Sequence, residues 1–538
     1  MSNPLWASVR TLGKPLSSLT VPTNAKAWNA LRHSKRSADV CLIVEGCYPF
    51  VRGGVSSWID WLIRSQPELT FSVVSLFPDD EARPVPYKVP DNLVSFQHVA
   101  LQEFGGGTDY QGNGKNLGEN LADRLFSFFE KGDLETFREI NDLVNDPNNR
   151  LPKTGYMNSP DAWNLICRLF DKRVPQASFI QFYWASRALL GGLFNVLTCP
   201  LPEARIYHTI STGYAGLFAA RAKIETGRPV IISEHGIYTN ERRIEILMAD
   251  WIADTINKGL ALQDRRYDLR DLWLGAFDTY ARACYAACDE ITTLFSGNQQ
   301  LQQLQGAPRH KMSVIANGID LERFKISDLK PSDGRTVALI GRVVPIKDIV
   351  TFIRAVGLAA QDTAGLSALI VGPMDEDPLY FEECRALVDE LDLAKVITFT
   401  GNVDLKEYFP KIDVVVLSSL SEAQPLVLLE AGAAGIPCIA TDVGACREIL
   451  EGAADECPPL GLGGLVTGLV SPQSIATAIT DLISDPTKRE ALGKTLCARV
   501  QKYYSSATSA AKYNDLYMRN LTSTPAASQL EVRARVEA

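Results

Sequence analysis

"DVVVLSSLSEAQPLVLLEAGAAGIPCIATD", Asp413–Asp442, passes from a β-branched run through a polar turn into a Leu/Ala-rich stretch and a second apolar run. That order predicts a buried strand, a helix and another buried strand, the repeating unit of a parallel α/β sheet. Pro425 suits the first helical position, where its missing N–H would have had no partner. Leu426 and Val427 then present free N–H groups at the positive end of the helix dipole, a place for phosphate or sugar oxygens. Glu422 precedes the helix at the strand's carboxyl edge. Glu430 follows eight residues later, about 80° around the axis at 3.6 residues per turn. Carboxylates are poor packing material there, but they accept hydrogen bonds from hydroxyls, which are dense in sugars and ribose.

The same rhythm extends in both directions. "TVALIGRVV", "SALIVGP", "KVITFTG", "DVVVLSS", "PCIATD" and "GGLVTG" read as strands alternating with helices over 336–500. "ADVCLIVEG", "FSVVSLFP", "ARIYHTIS", "RPVIISEHG" and "DEITTLFS" form an earlier series over 39–326. Apolar strands alternating with helices imply parallel sheets covered on both faces. The expected fold is therefore α/β: two Rossmann-like doubly wound domains facing a cleft, joined by the polar linker "SDLKPSDGR" at 327–335. Ligands of such sheets bind outside the strands' carboxyl ends. Residues about 103–203 break the rhythm and predict a mainly helical insertion in the first domain, with "LADRLFSFFEKGDLETFREINDLV" helical by periodicity. Residues 1–38 read as a poorly ordered polar lead-in, 501–521 as a final helix and 522–538 as a disordered tail.

Several side chains fall at strand ends. Arg342 and Lys347 in "GRVVPIKD" offer a planar fork and a mobile point charge, a pair suited to a diphosphate, though a solvated basic turn would look the same. Gly53 and Gly54 open a helix where missing Cβ atoms let a ligand reach the backbone; tight turns use such pairs too. His208 and His235 end strands of the first series. A lone histidine is ordinarily a satisfied structural residue, and His235, beside Glu234, is the better candidate of the two. "MDEDP", Met374–Pro378, has the composition of an acidic metal motif but sits where a solvated loop is expected. Cys284 and Cys288 lie on one helical face without a second Cys/His pair, which favours packing over metal binding.

The 538 residues are too many for one core. With 46% apolar and 22% charged residues the chain is an ordinary globular protein, and a net charge of -9 argues against nucleic acid as its main partner. Eleven scattered cysteines without a C-x-x-C pair suggest a reducing compartment. The opening residues lack a secretory signal, and apolar stretches such as "ALLGGLFNVLTCPLP" are too short or broken to span a bilayer. The expected location is the cytoplasm.

Together "VIANGIDLERF", "GRVVPIKD", "VITFTGNV" and "SEAQPLVLLEAGAAGIPCIATDVGACREI" resemble the retaining GT-B glycosyltransferases of family GT4, over most of 39–521. "VEGCYPFVRGGVSSWIDWLI", "HTISTGYAGL" and "SEHGIYTNERRIEI" resemble more narrowly the PelF-type glycosyltransferases of Pel exopolysaccharide synthesis. The resemblance implies that Arg342 and Lys347 hold the donor diphosphate, helped by Gly53, Gly54, Leu426 and Val427. It implies that Glu430 binds the ribose hydroxyls and that the turn at Gly401–Val403 meets the base through its backbone. Glu422 and His235 would contact the transferred sugar, and the final helix would cross back to the first domain. One departure is Gln424 and Pro425, where many members of the wider family carry Phe-Gly.

What this implies is a metal-independent retaining transfer from a nucleotide sugar, a UDP-sugar, to a growing oligosaccharide or polysaccharide. It implies no separate cofactor, and partners among inner-membrane polysaccharide synthase components at the inner face of the membrane. A catalytically silent nucleotide-sugar-binding subunit is the competing reading, and a GT-B sugar-nucleotide epimerase a third.

Overall fold

The computed structural model describes residues 24–522 except 33, 35, 82, 104–114, 148–154, 176, 248–268 and 325–333. The linker therefore falls almost wholly outside the described residues, as do residues 1–23 and all of the tail beyond Thr522. The chain divides into two compact units, residues 1–292 with 299–313 and 514–538, and residues 293–298 with 314–513.

The first sheet contains β1 (Ala38–Glu45), β2 (Phe71–Phe77), β3 (Leu93–Ala100), β4 (Ala204–Thr209), β5 (Val230–Glu234), β6 (Glu290–Thr293) and β7 (Met312–Val314). Their spatial order is β3-β2-β1-β4-β5-β6-β7. The pairs β2 with β3, β1 with β2, β1 with β4 and β4 with β5 are all parallel. The second sheet contains β8 (Thr336–Ile340), β9 (Ser367–Val371), β10 (Ile397–Gly401), β11 (Val414–Leu417), β12 (Cys438–Thr441) and β13 (Gly464–Thr467), in the order β10-β9-β8-β11-β12-β13. In each sheet the order reverses between two strands, β1 and β4 in the first and β8 and β11 in the second. That reversal leaves a crevice at their carboxyl ends.

Two-residue periodicity explains why these strands lie inside. In β8, Val337 and Leu339 join one apolar cluster while Ala338 and Ile340 join the other. In β11, Val414 and Val416 are likewise set against Val415 and Leu417. Successive side chains point to opposite faces, so a strand covered on both sides is predominantly apolar, as in these two.

Two expectations about helices need correction, and a third gains detail. The lead-in contains a helix, Asn24–Arg32, held by Trp28, which is 2% exposed. The Trp28 indole donates to the Tyr87 carbonyl at 3.1 Å and meets the Tyr48 and Phe96 rings edge-on. The helical pattern expected through 121–144 is present as two helices, Lys115–Lys131 and Leu134–Asn145. Gly132 at φ +66° ends the first, and Asp133 starts the second by accepting from the Thr136 amide at 2.7 Å. The helix expected over 501–521 begins at Ser506. The preceding helix stops at Tyr503 because Ile319 takes over the backbone there, donating to the Tyr504 carbonyl and accepting from the Ser506 amide, both at 2.9 Å. The division between the two units falls within Ser506–Thr522, after Tyr513.

Between β3 and β4 the chain is helical among its described residues and closes with Phe179–Thr198, most of which is buried in the first unit's core. No helix among the described residues is long and apolar enough to cross a membrane.

Candidate functional site

In the second unit, Arg342, Lys347 and Glu422 gather at the β8/β11 reversal. β8 ends at Ile340, and the turn after it carries Arg342 and Lys347; β11 ends at Leu417, and the turn after it carries Glu422. The two turns are stitched together. The Leu420 amide donates to the Ile346 carbonyl at 2.9 Å, and the Ser418 hydroxyl reaches the carbonyls of Lys347 and Asp348, each at 2.9 Å. This places Lys347 Nζ 2.5 Å from Glu422 Oε1. The Ser419 hydroxyl donates to the same oxygen at 2.7 Å. The two side chains are only 19% and 14% exposed, so this charge pair is largely removed from water.

The Glu422 turn is held from behind as well. The Ala445 amide donates to the Ala423 carbonyl at 2.8 Å, and the Thr441 hydroxyl to the Ser419 carbonyl at 2.6 Å. Gly444, at φ +54°, lies so close that a Cβ there would fall on the carbonyl oxygens of Glu422 and Ala423. Glycine supplies both the left-handed backbone and the space.

The helix is Leu426–Ala433, and Pro425 stands before it as its cap, not at its first position as expected. At φ -73° and ψ 110° Pro425 is extended, while its carbonyl accepts from the Leu428 amide at 3.2 Å. Leu426 and Val427 remain in the first turn, whose amides have no intrahelical acceptor. Gln424 is buried, and its Oε1 accepts from the Asn317 amide at 2.7 Å. Glu430, on the same helix, has its pKa raised by loss of solvent, against the pull of Arg323. Val403 follows β10 and packs partly buried against the same core cluster.

Arg342 is paired with a residue that the sequence reading left as loop: its guanidinium meets the carboxylate of Glu376. Asp377, next in "MDEDP", caps Pro378–Glu390 by accepting from the Tyr380 amide at 3.1 Å. The loop reading thus holds, but its middle carboxylate faces a candidate site residue. Among the described residues no cluster of three or more His, Cys, Asp or Glu side chains is arranged for a metal ion.

The first unit presents different chemistry. Gly53 is extended at φ 173°, Gly54 opens the helix Gly54–Arg64, and a Cβ on either would meet nothing within 4 Å among the described residues. His235 follows β5 and packs edge-on against Trp58 with ring centroids 4.3 Å apart. Burial lowers its pKa to about 4, so the ring is neutral near pH 7. Among the described residues its buried Nε2 has no hydrogen-bond partner. His208 is the satisfied core histidine anticipated: its two nitrogens lie 2.7 Å from the Tyr517 hydroxyl and 2.8 Å from the Ser233 hydroxyl. Glu234 is buried, takes bonds from Tyr285 at 2.5 Å and Gln302 at 2.8 Å, and is raised to about 7 by loss of solvent. Cys284 and Cys288 are buried 3.9 Å apart in helix packing.

Sequence reasoning also missed Glu45, the last residue of β1. It accepts from the Tyr238 hydroxyl at 2.7 Å and the Ala215 amide at 3.2 Å, which ties the "SEHGIY" turn to the start of Tyr214–Thr226. Burial raises its pKa. The available signal was a carboxylate closing an otherwise apolar strand, the reasoning already applied to Glu422.

Comparison with known proteins follows this division of the chain. Residues 38–310 match the family described as "Domain of unknown function (DUF3492)". Residues 320–496 match that described as "Glycosyl transferases group 1". The chain is 28% identical over 238 residues to D-inositol 3-phosphate glycosyltransferase 2 of Catenulispora acidiphila, covering 41% of this chain and 54% of that one. It is 29% identical over 231 residues to the D-inositol 3-phosphate glycosyltransferase of Kineococcus radiotolerans, covering 40% and 53%. The chain thus spans about half the length of these relatives. Among solved structures, sucrose-phosphate synthase from Thermosynechococcus elongatus superposes with a TM-score of 0.53 at 17% identity, over 90% of this chain and 100% of that one. Anabaena HepE in complex with UDP and glucose gives 0.52 at 14% identity, over 90% and 99%. These likenesses show the fold, two Rossmann-like parallel-sheet domains of the GT-B class.

Proposed function

The chain belongs to the family described as domain of unknown function DUF3492, and from that membership and its group 1 glycosyl transferase domain we propose that it is a retaining glycosyltransferase. In this reading it moves a sugar from a nucleoside diphosphate donor, a UDP-sugar, to a growing exopolysaccharide, as a PelF-type enzyme. The observation that carries it is the meeting of Lys347, Glu422 and the start of Leu426–Ala433 at one strand-order reversal.

The chemistry follows from charge. As the sugar–phosphate bond breaks, negative charge grows on the departing diphosphate and positive charge on the anomeric carbon. A fixed positive potential beside the leaving group lowers that barrier. Arg342, Lys347 and the amides of Leu426 and Val427 supply it in this proposal, so no metal step is invoked. Lys347 leaves the Glu422 carboxylate for the diphosphate, and Glu422 turns to the sugar. Glu430 takes the ribose hydroxyls, and the backbone at Val403 the base. On the first unit, His235 is assigned to the transferred sugar, where a neutral ring donates or accepts a hydrogen bond without opposing the developing cation. Gly53 and Gly54 are assigned to the phosphates. HepE supports the donor class, because it was crystallised with UDP and glucose on the same fold.

The experiment is a panel of nucleotide sugars scored for UDP release with and without an oligosaccharide acceptor, each repeated with a chelator, followed by mass and anomeric analysis of the product. Acceptor-dependent UDP release that survives the chelator is the expected result. UDP binding without release in any combination would identify a silent donor-binding subunit. An isomerised donor without UDP would identify an epimerase.

A further inference from the structure

We propose that Glu376 is a resident counter-ion of the donor site, a carboxylate that Arg342 must leave before it can grip a nucleoside diphosphate. This rests on the donor reading above and adds a residue to it, one that sets donor affinity by competing for the same guanidinium.

The backbone brings the two residues together. The Gly341 amide donates to the Val371 carbonyl at 2.8 Å, and the Val343 amide to the Pro373 carbonyl at 3.0 Å, so Arg342 sits between two anchors to the turn after β9. That approach needs glycine. Gly372 has φ +146°, and a Cβ there would land on the Gly341 carbonyl oxygen. At the far end the same turn is fixed by Asp377, the cap of Pro378–Glu390. Glu376 is thus held between the Pro373 anchor and the Asp377 cap, facing Arg342.

Exposure makes the pair exchangeable. The Arg342 and Glu376 side chains are 52% and 28% exposed, against 19% and 14% for Lys347 and Glu422. An ion pair in contact with water is weak and readily broken. A guanidinium binds carboxylate and phosphate oxygens through the same planar fork of N–H groups, so the two anions compete for it. Through this competition the glutamate weakens donor binding and keeps the arginine from holding other anions when no donor is present.

The test is UDP affinity by calorimetry for the wild type, Glu376→Gln, Arg342→Ala and the double variant, at low and high salt, with and without magnesium. Glu376→Gln should bind UDP about two- to fivefold more tightly at low salt, the range an exposed pair supplies. The gain should shrink as salt screens it, and it should vanish in the Arg342→Ala background. Unchanged or weaker binding by Glu376→Gln would overturn the proposal, as would a gain that persists without Arg342. Weakening confined to magnesium buffer would also overturn it, because the carboxylate would then be bringing a cation to the diphosphate. Glu376→Ala removes the same charge and should agree with Glu376→Gln, with thermal melts confirming that each variant is folded. Absence of UDP binding by the wild type would sink the donor reading itself, a result distinct from the others.

Discussion

At the second unit's crevice the side chains carry opposite charges already paired, Lys347 with Glu422 and Arg342 with Glu376. The first unit's strand ends hold groups that burial drives toward neutrality: His235 lowered to about 4, Glu234 raised to about 7, and Glu45 also raised. Both sets lie at the carboxyl ends of parallel strands, so topology alone does not separate them. Charge pairing and solvent access do. The exposed Arg342–Glu376 pair can trade its carboxylate for a phosphate at little cost. Lys347 and Glu422, largely removed from water, are held as charges by each other. Burial without such a pair favours the neutral form of a carboxylate or imidazole. Each taken by itself, the second unit carries an electrostatic grip and the first a neutral, hydrogen-bonding wall.

The largest effect should come from removing the grip. Arg342→Ala and Lys347→Ala should each lower turnover by about 100- to 1000-fold, measured as UDP release. Arg342→Ala should leave the melting temperature almost unchanged, because that side chain is half exposed. Lys347→Ala strands Glu422 in a poorly solvated place and should also cost about 1–3 kcal/mol of stability. Wild-type turnover in Arg342→Ala would break the contrast between the units.

Next is Gly444→Ala, which adds a Cβ against the Glu422 and Ala423 carbonyls at a left-handed backbone position. A loss of about 2–4 kcal/mol in denaturant unfolding is expected, together with loss of UDP binding. A stable variant with normal affinity would mean that the Glu422 turn does not set the site.

Protonation sharpens the other side of the comparison. The His235 ring carbons should titrate by NMR near pH 4, not near 6.5. The unfolded imidazole takes its proton near 6.5, so this histidine's contribution to stability is complete above that pH and is lost as pH falls from 6.5 toward about 4. His208, lowered to about 3, acts in the same direction. Glu234, raised to about 7, acts in the opposite one, losing its contribution as pH rises from 4.5 to about 7. A His235 midpoint near 6.5 would remove the neutral wall.

The smallest structural effect belongs to Gly53→Ala, whose added methyl would meet nothing within 4 Å among the described residues. Stability should move by less than about 0.5 kcal/mol. If the donor phosphates approach that backbone, the same methyl should still raise the KM for the donor. Unchanged KM would confine phosphate binding to the second unit.

Much of this was legible in the chain. Strands such as "DVVVL" could be recognised because a strand buried on both faces tolerates few polar positions, and the turns after β8 and β11 advertise themselves by charge. Shorter-range errors had local causes. Gly132 and Asp133 interrupt a helical pattern whose apolar period continues through them. Trp28 sits in a polar stretch and is held by Tyr48, Phe96 and Tyr87, partners remote in sequence. Pro425 satisfies the rules for a cap and for a first helical residue alike, and its ψ of 110° decides between them.

By itself the sequence determined that two parallel sheets would form and which turns would carry the candidate chemistry, since periodicity and turn residues act over a few positions. Only the tertiary structure decided which charges meet. Lys347 finds Glu422 across 75 residues and Arg342 finds Glu376 across 34. Those pairings depend on strand order and on close backbone approaches at Gly372 and Gly444, which are properties of the folded sheet that no local pattern encodes.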